Sequence, residues 1–139
     1  MSLFEATDGD RRRQQRENLA GLTKLVELGA KRKLSPLTWR LPDGYGTLSG
    51  NVETIPRAAQ HPRDTFKAWH DAIAALPRVE PGKLGFRRDG APRAEGTRDG
   101  KTWLIAVFKL PLAKQGSWPC CEFVIQAEWY EDELAEAAG

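Results

Sequence analysis

The stretch Thr102-Trp103-Leu104-Ile105-Ala106-Val107-Phe108-Lys109-Leu110 carries apolar residues at both sets of alternating positions. A strand covered on both faces reads this way, so the segment predicts a central strand. Further on, Glu122 to Tyr130 alternates instead. Phe123, Ile125, Ala127 and Trp129 fall on one side, and Glu122, Gln126 and Glu128 on the other, the period of a half-buried strand. Between them, Pro111 to Pro119 reads as a loop containing Trp118.

Upstream, the same period recurs. Leu37, Trp39 and Leu41 alternate with Thr38 and Arg40. Leu48, Gly50 and Val52 alternate with Thr47, Ser49 and Asn51, and Pro42-Asp43-Gly44-Tyr45-Gly46 lies between. Two alternating runs around turn residues predict a hairpin. Thr38-Trp39 and Thr102-Trp103 hold similar places in the two halves of the chain, as in a degenerate repeat.

Two helical patterns flank the first hairpin. Over Asp10–Lys31, residues Leu19, Leu22, Leu25, Val26 and Gly29 share one face, with Asp8 or Asp10 as the cap. Residues 1–9 read as a frayed start. In the second helix, Pro62 suits the first helical position and His61 can cap it. Phe66, Trp69, Ile73 and Leu76 mark its apolar side, and Pro77 ends it. The order is α-β-β-α-β-β. It predicts an α+β domain over residues 1–139, an antiparallel sheet with two helices packed on one face.

Residues 77–101 fit none of these periods. They hold three prolines and five glycines, with Leu84 and Phe86 as candidate buried residues in a short edge strand. The segment 87–100 reads as a mobile basic loop. Residues 131–139 read as an acidic tail.

Composition narrows the function. With 139 residues, 40% hydrophobic and 29% charged, the chain can bury a core without disulfides. No apolar run is long enough to span a membrane, and no leader-like core follows the early arginines, so a cytoplasmic location is expected. Cys120 and Cys121 are adjacent and cannot form a relaxed bridge. With His61 and His70 they also lack the usual zinc spacing. No phosphate loop or nucleophile elbow occurs. The expectation is therefore no catalytic residue, no metal and no cofactor.

Charge is unevenly spread. Residues 10–33 hold eight Lys/Arg against three Asp/Glu, residues 83–101 six against three, and residues 122–139 six acids and no base. Such asymmetry speaks to partners. The candidate partner-binding residues are Arg11, Arg12, Arg13, Arg16, Arg88, Arg93 and Arg98, with Trp118 as an aromatic anchor. The expectation is a non-enzymatic binding or regulatory module acting through protein–protein contacts or self-association. The alternatives are weak, non-specific nucleic-acid binding and a small enzyme with its pocket between the long loop and the sheet.

Two resemblances bear on this. Leu19-Ala20-Gly21-Leu22 resembles the opening of the LAGLIDADG homing endonuclease motif, a family with an α-β-β-α-β-β core. The metal-binding acid that the motif requires is replaced by Val26, so the resemblance implies no endonuclease activity. Leu37-Thr38-Trp39, Phe66-x-x-Trp69 with Ala72-Ile73, and Asp99-Gly100-Lys101-Thr102 together resemble short actinobacterial proteins of the streptomycete type, often found beside mobile elements and regulatory genes. That resemblance implies a genomic neighbourhood and a fold, not an activity.

Overall fold

The computed structural model describes residues 7–42, 46–53, 60–116 and 118–131. Two helices and six strands follow one another as α1 (Asp8–Arg32), β1 (Leu37–Arg40), β2 (Leu48–Val52), α2 (Pro62–Ala74), β3 (Glu80–Pro81), β4 (Arg93–Arg98), β5 (Lys101–Pro111) and β6 (Cys120–Tyr130). The fold is α+β, with both helices against one face of a single sheet.

The first helix starts two residues before the expected Asp10. Thr7, not an aspartate, caps it. The Thr7 hydroxyl accepts the Asp10 backbone N–H at 3.0 Å and donates to the Asp10 carboxylate at 2.7 Å, so two polar groups of the first turn satisfy each other. The helix ends at Lys33, in the left-handed region at φ 55, where the Leu34 N–H reaches the Gly29 carbonyl at 2.9 Å. Its buried seam is Asn18, Gly21, Leu25, Leu28 and Gly29, whereas Leu19 and Val26, read as apolar-face residues, are exposed. The small residues rotate the seam. A β-carbon on Gly21 would run into the Cys121 side chain, and one on Gly29 would lie 2.6 Å from the Trp69 ring. α1 therefore rests on the sheet and on α2 through its glycines.

α2 matches the sequence reading up to Ala74, whereas Leu76, read as part of its apolar side, lies past its end and is only partly buried against the core. Pro62 opens it, the His61 Nδ1 accepts the Arg63 N–H at 3.0 Å, and Phe66, Trp69 and Ile73 are buried. The Trp69 indole donates to the Ser35 carbonyl at 2.8 Å, which gives its one polar atom a partner at the margin of the core.

The sheet order is β1-β2-β6-β5, and both β3 and β4 pair with the outer side of β5. β5 and β6 pair antiparallel from Lys101↔Tyr130 to Pro111↔Cys120. β1 and β2 form the expected hairpin. The expectation of a wholly antiparallel sheet is corrected at one seam: β2 and β6 run parallel, from Leu48↔Phe123 to Asn51↔Gln126. α2 and the three strands after it intervene between them, so no tight turn fixes their relative direction. The core lies between this sheet and the helices, built on Leu48, Phe123, Ile125, Trp129, Leu25, Trp69 and Ile73.

The puzzling segment also departs from its reading. Its strands are β3 and β4, not a strand around Leu84 and Phe86. Residues 93–98, read as loop, pair with β5 throughout. Asp99 and Gly100 connect them at φ 53 and φ 78, the left-handed pair of a two-residue hairpin turn. Leu84 is buried as expected, in a second small cluster with Ala94 and Val107 on the sheet face away from the helices. Phe86 is 62% exposed.

Candidate functional site

The sheet face away from the helices is only partly covered. Cross-strand register places Trp103 opposite Glu128, Ile105 opposite Gln126, and Val107 opposite Val124 on that face. The segment after β3 folds over the Val107 end, tied by the Gly82 N–H to the Val107 carbonyl at 2.9 Å. The remainder is a groove of about 480 Å³. Trp103 and Ile105 line its floor, Phe86 forms one wall, and Asn51, Glu53, Gln126 and Glu128 supply its polar groups.

Each polar group has an identifiable neighbour. The Gln126 amide donates to the Asn51 oxygen, and the Thr38 hydroxyl donates to Glu53. Lys101 meets Glu128 at 2.9 Å. That hydrogen bond, above all, holds the Lys101 pKa above its ordinary value. With the carboxylates so engaged, the distinctive part of the groove is aromatic. Phe86 stands edge-on to Trp103, ring centres 6.3 Å apart at 79°. The indole in turn covers Gly96, where a β-carbon would sit 2.5 Å from the ring.

A second groove of about 400 Å³ lies on the helix side, between α2 and the edge strand β4. Phe66 and Leu104 are at its base, and Arg63, Lys67, His70, Asp71, Arg93 and Glu95 surround it. Arg63 and Glu95 pair at 2.7 Å, and His70 lies 3.6 Å from Asp71. Lys67 and Arg93 have no ion-pair partner among the described residues.

The candidate residues from the sequence do not converge. Arg11, Arg12, Arg13 and Arg16 are exposed on the first half of α1. Asn18 and Gly21 of that helix meet Cys121, at the start of β6. Arg98 lies beside the opposite end of the sheet, where Lys101 pairs with Tyr130, roughly 30 Å away at a strand rise of about 3.3 Å per residue. Arg88 is exposed on the turn after Phe86, and Arg93 lines the α2–β4 groove. Trp118 is 71% exposed in the β5–β6 loop, above Arg78 and Lys109, on the Cys121 side of the molecule. The Arg78 guanidinium braces that loop by donating to the Gly116 and Ala113 carbonyls at 2.6 and 2.9 Å. Sequence reasoning missed Lys67, Phe86 as a surface residue, and the exposed side of Trp103. Trp103 lies opposite Gly96 on an edge strand, and reading that glycine as part of a strand was the missing signal.

The histidines and cysteines are otherwise occupied. His61 caps α2 and stands edge-on to Trp129 at 5.0 Å, and His70 lies 5.2 Å from the Phe108 ring. Burial is the largest cause that pushes the Cys121 thiol up to about 12, with Cys120 beside it adding to the shift. Burial also raises Cys120, against the pull of Lys109. Neither offers a thiolate near neutral pH. Among the described residues, no His/Cys/Asp/Glu group could hold a metal ion, and no helix is long and apolar enough to cross a membrane.

No family model, curated protein or solved structure matches this chain.

Proposed function

We propose that this chain is a non-enzymatic binding module that acts through protein–protein contacts, receiving an apolar side chain of a partner protein in the groove of the open sheet face. One observation carries the reading: Phe86 stands largely exposed against Trp103 at the wall of that groove. Exposed aromatic pairs in concave surroundings are the usual anchors of protein interfaces. The polar groups around the pair suit the rim of such a contact. Free cysteines fit a reducing, cytoplasmic setting. Nucleic acid ranks lower, because the arginines of α1 and Arg98 sit at opposite ends of the sheet and form no continuous track for phosphates.

A display selection of random peptides against the full chain tests this. The selected peptides should share a large apolar residue. Phe86→Ala should weaken them by roughly thirty-fold, as truncation of an interface anchor does, with its thermal melt unchanged. No enrichment, or binding indifferent to Phe86→Ala, would overturn the reading. So would selected peptides whose only effect is on a concentration-dependent dimer.

A further inference from the structure

The outer edge of β4 forms a second surface, which borders the open-face groove at Trp103. The Val107 N–H donates to the Pro92 carbonyl at 2.9 Å, so position 92 turns its carbonyl toward β5. Backbone polar groups of a strand alternate sides. Ala94, Gly96 and Arg98 therefore also face β5, and Arg93, Glu95 and Thr97 turn their N–H and carbonyl groups to the free edge. An unpaired edge of this kind is a template for another strand unless charges or prolines block it.

Here the flanking charges select as well as block. On the helix side, Arg93 and Lys67 border the α2–β4 groove without ion partners among the described residues, while Glu95 is engaged by Arg63. On the other side, Ala94 and Gly96 lie beside Ile105 and Trp103. An added strand would place alternate side chains on these two faces. One face carries an excess of cations, Arg63, Lys67 and Arg93 against Asp71 and Glu95, over an apolar base, and the other is apolar and aromatic.

We propose that the free edge of β4 docks an extended segment of a partner protein in which acidic and apolar residues alternate. The acidic side chains face Lys67 and Arg93, and the apolar ones extend the Ala94–Trp103 surface. The N–H and carbonyl groups of the three outward residues supply the ladder, as in other cases of strand addition to a sheet edge.

A synthetic peptide alternating Glu with Val, labelled for fluorescence anisotropy, is titrated into the full chain. Binding is expected, weakening as salt rises. Lys67→Glu and Arg93→Glu should each weaken it roughly ten-fold, as reversing an interfacial charge does. Hydrogen exchange at the Arg93, Glu95 and Thr97 amides should slow on binding, while Ala94, Gly96 and Arg98 are protected with or without peptide. Thr97→Pro should abolish binding, because it removes only an outward N–H. If that variant fails to fold, the exchange pattern of the unaltered protein still decides the matter. No binding, equal binding of a Lys–Val peptide, or binding without slowed exchange at the outward amides would sink the proposal. Tighter binding of a duplex oligonucleotide lost in the same variants would reassign the cations to phosphates. A ten-fold gain in peptide affinity on deleting residues 132–139 would reassign the edge to the chain's own acidic segment. Phe86→Ala leaves the β4 ladder in place, so failure here and failure of the open-face reading are told apart.

Discussion

Trp39 and Trp103 make the same local arrangement with different outcomes. Each indole lies across a glycine on the paired strand, Gly50 for Trp39 and Gly96 for Trp103. Each follows a threonine, and each sits near one margin of the sheet. Trp39 faces the helices, where Trp69 meets it edge-on at 5.8 Å, and it joins the core. Trp103 faces away from them, where its aromatic neighbour is the exposed Phe86. The same pair of residues becomes structure where a helix closes over it and surface where none does. Local sequence specifies the stacking; the covering layer decides its use.

The comparison breaks most sharply if the covered side is not the stable one. Trp69→Ala removes the ring that packs on Gly29 and touches Trp39. It should cost about 3–5 kcal/mol, as large aromatic truncations in cores do, read by denaturant unfolding. A loss under about 1 kcal/mol, the scale of an ordinary surface change, would remove Trp69 from the core.

The two glycines give the direct contrast. Gly50→Ala drives a methyl into an indole held by Trp69, and should cost about 1–3 kcal/mol through overpacking. Gly96→Ala meets an indole with room to swing outward, and should cost less than about 1 kcal/mol. Equal losses would mean that Trp103 is as confined as Trp39.

The adjacent cysteines sharpen the same distinction at the smallest scale. Cys121 shares its face with Leu110 under α1, and Cys120 pairs with Pro111 on the other. Burial raises the Cys121 pKa from 9.0 to about 12, so the folded chain keeps a proton that the unfolded chain gives up. Its contribution is present in full below pH 9 and is lost as pH rises toward about 12. The thermal midpoint should fall by a few degrees across that window, and less in Cys121→Ala. An identical pH profile in the variant would show that Cys121 is not sealed.

What was legible in the sequence follows from how much each residue's role depends on distant elements. The two-sided apolar run at 102–110, the alternating run at 122–130, the hairpin and the phase of α2 were readable because apolar patterning and capping are local. The seam of α1 was not. Counting Leu19 and Val26 assumed that large residues mark the contact, whereas Gly21 and Gly29 mark it because Cys121 and Trp69 fill the space they leave. The parallel β2–β6 pair was hidden because no turn joins those strands. β4 carried a local sign, Asp99-Gly100 before an apolar run, but Arg93, Glu95 and Arg98 made its strand look like loop. Of the candidate site, the exposure of Trp118 was readable from its neighbours, Gly116 and Pro119. The grooves were not, because Lys67 and Phe86 gain meaning only from what the sheet places beside them.

Gly21 and Gly29 of α1 also act as a ruler. They lie eight positions apart in the sequence, about 12 Å along the helix axis. One socket takes a side chain from the sheet, and the other takes one from the neighbouring helix. A slide of one turn, or a rotation of one residue, would withdraw both plugs at once and present bulkier residues in their place. The helix is thus keyed in translation and rotation by two absences, which is how a largely polar helix with few apolar contacts keeps a single seat.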